Sequence, residues 1–161
     1  MTEPSLLAGS AGAGERAPLL VVGIGSELRR DDAAGRRVAE AIAAQGFDDV
    51  EVRSVHQLTP ELALDLDARE LVVFVDAAVD VAELVVRGLP SGAAGTSGSH
   101  HVDPPALLAL AACLGWAPDR AVVVHIPVVD LDIGTQLSPA TSREVERAVV
   151  AVVDLLRGGS G

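Results

Sequence analysis

Two short runs decide most of what this chain can fold into. Leu19 to Ile24 (LLVVGI) and Leu71 to Val75 (LVVFV) are almost wholly apolar. A strand that is apolar at successive positions has both faces buried, which is the pattern of a parallel sheet covered by helices. Helical patterns fall between such runs. Asp32 to Gln45 carries Val38, Ala41 and Ile42 at helical spacing and is stopped by Gly46. Thr59-Pro60-Glu61 reads as a further helix start, with a hydroxyl cap, a proline in the first turn and an acid beside it. Asp103-Pro104 opens a helix through Leu107, Leu108, Leu110 and Leu114. Ser138-Pro139 opens the last one, whose Val145, Val149, Val152, Val153 and Leu156 make a packing face. Val50 to Val55 alternates like a half-exposed strand, Val81 to Val86 reads as an antiparallel edge strand, and Ala121 to Ile126 as another strand. The strand ending the run at Val75 is expected to stop at Asp76. Strands separated by helices predict a single-domain α/β three-layer sandwich, a parallel-rich twisted sheet with helices on both faces. That domain is expected over residues 18–157, after a flexible leader (1–17) and before a frayed tail (158–161).

Composition fits this reading and excludes others. The chain has 161 residues, enough for one domain, and its 49% hydrophobic content supplies a core. Net charge is −11, and all twelve basic residues are arginine. An acidic chain has no overall footprint for a phosphate backbone, so nucleic acid is not an expected partner. One cysteine, Cys113, excludes an intrachain disulfide and any CxxC metal or redox site. It lies in the apolar stretch LLALAACLGW and reads as a buried, inert thiol. No signal peptide is visible, and no apolar run reaches the ~20 residues that span a bilayer. A cytoplasmic protein with no membrane partner is expected.

Function in parallel α/β sheets gathers at the carboxyl ends of the strands. Gly23-Ile24-Gly25 follows the first strand there, but Leu28 stands where a dinucleotide fingerprint needs its third glycine. No acid ends the second strand to hold a ribose; Ser54 to His56 occupy that place. The glycines serve a sharp turn after the strand. Asp31 and Asp32 follow. Helix capping accounts for one acid, and leaves the other to point into a cleft. Asp76 reads either as a structural strand-end group or as a ligand or catalytic acid. His100 and His101 follow a Gly/Ser loop over residues 90–99, which is expected to be mobile. Two aspartates and a histidine are a three-donor set with open positions, and imidazole suits nickel and zinc. His56 and His125 lie near strand ends, and His125 reads as a hydrogen-bonded sheet histidine. No GxSxG elbow or HExxH pair occurs.

Taken together the segments resemble the [NiFe]-hydrogenase maturation endopeptidases. That family carries a pattern like GxGNxLxxD(D/E)GxG after its first strand, and residues 23 to 35 read GIGSELRRDDAAG. A segment like HQLxPELA stands here as His56 to Ala63 (HQLTPELA). A strand ending in Asp stands as FVDA, residues 74 to 77. Ser99 and His100 precede a Leu-rich helix, and a Gly-x-x-Leu-Ser-Pro segment, Gly134 to Pro139, opens the last helix. The five motifs come in order over most of residues 19–157. Two positions depart from the pattern: Ser26 replaces the usual Asn, and Ala33 the usual Gly.

The resemblance implies an endopeptidase that trims a C-terminal extension from the precursor of a [NiFe]-hydrogenase large subunit once nickel is inserted. It implies nickel ligands and catalytic residues at Asp32, Asp76 and His100, with His101 as the competing histidine. It also implies that the nickel recognised is the substrate's own, so that the free enzyme is metal-empty. The metal would polarise the scissile carbonyl or activate water, or else anchor the precursor while a carboxylate acts as general base. The two departures motivate an alternative, a catalytically impaired relative that binds precursor without cutting it. A small-molecule hydrolase on the same type of sheet is a further alternative. Asp32 and Asp76 are expected to be ionised below neutrality, with mutual repulsion raising one of the pair. Asp65, assigned to a solvent-facing helix, serves as the control acid.

Overall fold

The computed structural model of the chain describes residues 16–90 and 101–158. Five strands form one sheet: β1 (Leu19–Ile24), β2 (Val50–Val55), β3 (Leu71–Ala78), β4 (Val85–Leu89) and β5 (Arg120–Pro127). Three α-helices join them: α1 (Ala34–Ala44), α2 (Pro104–Cys113) and α3 (Pro139–Leu156). The strand order is β2-β1-β3-β5-β4. All neighbours run parallel except β4, which pairs antiparallel with β5 at the edge.

The alternation of side chains along each central strand sorts the core into two layers. On one face Val21, Val73, Val75, Val124 and Ile126 pack against Val38 and Ile42 of α1 and Ala148 and Val152 of α3. On the other, Leu20, Val22, Val72, Phe74 and Val123 pack against Leu107 and Leu108 of α2. Leu66, from a 3-10 helix over Pro60–Leu66, joins this second layer. This is the expected three-layer sandwich with helices on both faces. Caps follow their residue chemistry. The Asp103 side chain accepts the Ala106 N–H at 2.8 Å, and Ser138 Oγ accepts that of Thr141 at 3.3 Å. Gly46, with φ +69°, follows the end of α1.

Several expectations need correction. α1 starts at Ala34, because residues 30–33 form a 3-10 helix that carries both aspartates. The Thr59-Pro60-Glu61 start opens only a 3-10 helix, and Asp65 lies in it. β3 does not stop at Asp76. Burial breaks off there, but pairing with β5 continues to Ala78 opposite Pro127. β4 is antiparallel at the edge as expected, yet begins at Val85 rather than Val81. Cys113 is exposed. α2 is apolar on nearly every side, so its sequence does not show that Leu107, Leu108 and Ala111 make the buried face, with Cys113 outside it. The leader up to residue 15, loop residues 91–99, His100 and the end of the tail (159–161) lie outside the described residues. Among the described residues no helix is long and apolar enough to cross a membrane.

Candidate active site

The carboxyl ends of β1 and β3 are neighbours, and the 3-10 helix that follows β1 lies across them. Glycines make this approach possible. A Cβ at Gly35 would lie 2.2 Å from the Val75 carbonyl oxygen and 2.6 Å from that of Ile24. The first turn of α1 therefore seats directly on the ends of β1 and β3, one residue from Asp76. A Cβ at Gly25 would lie 1.8 Å from the Asp32 carbonyl oxygen, and Gly25 has φ +148°, a conformation that favours glycine. The turn after β1 is thus folded back on Asp32. Its carboxylate Oδ2 accepts the Ser26 N–H at 2.9 Å. Ser26 holds Asp32 through its backbone, while its own hydroxyl accepts the Leu28 N–H at 3.3 Å. Gly25→Ala is expected to cost about 2 kcal/mol of stability or more, since both a forbidden φ and a backbone clash oppose the new methyl. Urea melts of the variant check this.

The two adjacent aspartates have different work, though neither caps a helix. Asp31 is fully buried. Its carboxylate accepts the N–H groups of Val129 (3.2 Å), Asp130 (2.9 Å) and Ser138 (2.7 Å) and the Ser138 hydroxyl (2.9 Å). Burial pushes this carboxyl up, but the bonds from the Ser138 and Asp130 N–H groups and from the Ser138 hydroxyl outweigh it. The pKa ends below the ordinary value. Asp31 is therefore a structural clasp between the loop after β1 and the loop after β5. Asp32 is only partly buried and stays at the sheet edge.

Asp76 has the opposite character. Burial, and then the negative charge of Asp32, push its carboxyl from 3.8 up to about 6, against a weaker pull from the Ala77 N–H. The charge of Asp32 reaches Asp76, so these two acids share one electrostatic environment at the carboxyl edge. Asp76 also lines a cavity of about 260 Å³ with His125, Arg87, Asp103 and Val123. His125 is the register partner of Asp76 on β5. Burial and the charge of Arg87 push its pKa down, with Asp80 opposing. This histidine faces the cavity that Asp76 lines, which its place inside the apolar run AVVVHIP does not disclose. Its parallel pairing with Asp76 depends on which strand β5 joins, a tertiary fact.

Of the residues singled out from the sequence, Asp32 and Asp76 come into electrostatic range of each other. His56 is exposed at the end of β2, the far side of β1 from β3. His101 is exposed just ahead of α2, and His100 lies outside the described residues. Among the described residues no group of three or more His, Cys, Asp or Glu is placed to hold a metal ion. A larger cavity, about 380 Å³, lies at the opposite edge of the sheet, where Leu19, Leu71 and Arg120 begin or adjoin their strands. It is remote from both acids.

No protein-family model matches the chain. No curated protein matches its sequence. Solved structures match its fold. The hydrogenase maturating endopeptidase HybD from E. coli superposes with a TM-score of 0.70 at 24% identity, over 88% of this chain and 93% of that one. The hydrogenase 2 maturation peptidase of a Thaumarchaeota archaeon gives 0.65 at 24% identity, over 86% and 97%. The [NiFe] hydrogenase maturation protease HycI from Thermococcus kodakarensis gives 0.68 at 21% identity, over 89% and 95%. The likeness runs nearly end to end in each case, and the chain has the fold of the hydrogenase maturation endopeptidases.

Proposed function

We propose that this chain is a hydrogenase maturation endopeptidase that removes the C-terminal extension of a [NiFe]-hydrogenase large-subunit precursor after nickel insertion. The observation that carries this reading is the pair Asp32 and Asp76, brought together at the carboxyl edge of a sheet shared with peptidases of that description. Two carboxylates whose repulsion raises one pKa are a site that a cation relieves. Their oxygen donors, with an imidazole from His100, suit nickel held in the precursor. Asp32 is oriented for this by the Ser26 N–H. Asp76, with its carboxyl near neutrality, is the group able to take and return a proton.

The test is incubation with a nickel-loaded large-subunit precursor, read by mass spectrometry of the precursor's C-terminus. Loss of the extension is the expected result. Stable capture without a cut would instead identify a binding relative whose chemistry is disabled. Neither cut nor capture would overturn the reading.

A further inference from the structure

The cavity beside Asp76 has two chemically different ends. Arg87 of β4 lines it together with Asp76 of β3 and His125 of β5, and the start of α2 closes it with Asp103, Pro104 and Pro105. Arg87 stands on the α2 face of the sheet, because its register partner Val123 belongs to the core layer packed against α2. The charge of Arg87 acts on the imidazole of His125, whereas the charge that acts on Asp76 is that of Asp32. Guanidinium and acid are therefore set apart within one cavity, Arg87 at the β4 end and Asp76 at the β3 end.

Arg87 is out of keeping with the charge around it. The chain carries 23 acids against 12 arginines. Arg30, Arg36, Arg37, Arg53, Arg69 and Arg147 each pair with a carboxylate. Among the described residues no carboxylate pairs with Arg87, and none accepts a hydrogen bond from it. The start of α2 supplies no competing donor. Pro104 and Pro105 have no N–H, the Ala106 N–H is taken by the Asp103 carboxylate at 2.8 Å, and the Leu107 N–H by the Asp103 carbonyl at 3.0 Å. The donors that face the cavity are thus the Arg87 guanidinium and the imidazole N–H of His125. A guanidinium offers two parallel N–H bonds, and the planar group that accepts both and carries the opposite charge is a carboxylate.

We propose that the Arg87 end of this cavity is a subsite for a carboxylate of the substrate tail, held there while a neighbouring peptide bond is presented to Asp76. Asp76 lines the same cavity, so a chain cut at that acid borders the subsite. The carboxylate comes from an acidic side chain beside the bond or from the terminal carboxylate of the tail, and Arg87 binds either in the same way. The inference rests on the proposed function and names its substrate more closely: a tail with an acidic group near the bond that is cut. Arg87 selects and positions that tail, and the proton chemistry stays with Asp76.

Arg87→Gln and Arg87→Glu test it, with Arg120→Gln as control for the loss of one positive charge. Arg120 is also exposed, but it starts β5 beside the remote cavity at the opposite edge of the sheet. The probe is the nickel-loaded precursor, used unaltered, with the acidic side chains near its cut changed singly to their amides, and with its tail lengthened to displace the terminal carboxylate. KM and kcat are read together, and the dissociation constant replaces KM if the wild type captures without cutting. Arg87→Gln is expected to raise KM about tenfold with kcat at saturation unchanged, Arg87→Glu to raise it further, and Arg120→Gln to change neither. One altered precursor should raise the wild-type KM by a like factor and cost nothing more in Arg87→Gln, which identifies the carboxylate and its source. Wild-type KM in Arg87→Gln would overturn the subsite and leave the peptidase reading intact. So would penalties that simply add for every altered precursor, or a fall in kcat with KM unchanged. A wild-type protein that neither binds nor trims precursor would remove the functional reading, and the subsite with it.

Discussion

Asp31→Ala is expected to destabilise the protein by about 3–5 kcal/mol and to lower its melting temperature by about 10 °C or more. The size follows from what the carboxylate holds. Asp31 is fully buried and accepts bonds from three backbone N–H groups and one hydroxyl, all more than ninety residues away in sequence. Removing it leaves buried donors without acceptors and a void beneath the loop after β5. Asp31→Asn keeps the volume but turns two acceptor oxygens into one, and is expected to cost less. The acid side gives a second readout. The folded pKa of Asp31 lies below its unfolded value, so its contribution is present above the unfolded pKa, ~3.9, and is lost as pH falls further. The difference in stability between wild type and Asp31→Asn should therefore shrink below about pH 4. Denaturant melts across that range measure it. Because the same carboxylate fixes Val129, the Ala variant should also loosen the loop, seen as faster amide exchange at Val129 and Asp130.

The architecture was legible because its signals are local. Apolar runs such as LVVFV cannot be half-exposed, and Asp103-Pro104 and Ser138-Pro139 carry cap chemistry in the sequence itself. The sequence misleads where a neighbour decides. Asp76 ends the buried part of β3, but only β5 beside it carries the pairing on to Ala78. Cys113 sits on a helix so uniformly apolar that no periodicity marks its outer side. The site divides in the same way. The sequence places an acid pair after β1 and an acid after LVVFV. It does not say which of Asp31 and Asp32 is spent on structure, because the partners of Asp31 lie at residues 129–138. The pairing of Asp76 with His125 likewise depends on strand order rather than on spacing.

An acid proposed to serve the chemistry should be a burden on the fold. In the folded protein Asp76 has its pKa raised from 3.8 to about 6, by burial and then by Asp32. Between those values the folded state holds a proton that the unfolded state has released. Stability therefore falls as pH rises through this window, and the full penalty is present above about pH 6. At 1.36 kcal/mol per unit the penalty is about 3 kcal/mol. Asp76→Asn removes the charge and keeps the shape, so at pH 7.5 it should be more stable than wild type by up to about 3 kcal/mol. The gain should fade as pH drops and be nearly gone at about pH 3.5, just below the unfolded pKa. Asp32→Asn should yield a smaller gain, since it removes only the Coulombic part of the shift. Asp65→Asn should change stability by no more than about 0.5 kcal/mol, because its one ion pair, to Arg53 at 3.5 Å, is partly exposed. Precursor trimming should be abolished in Asp76→Asn and untouched in Asp65→Asn. Gain of stability with loss of cleavage is the signature of a group kept for chemistry, whereas a strand-end aspartate kept for structure would lose stability on the same substitution. Urea melts at pH 7.5 and 3.5, run beside the trimming assay, separate the two. An Asp76→Asn protein less stable than wild type at neutral pH would show that this carboxylate holds the edge of the sheet together.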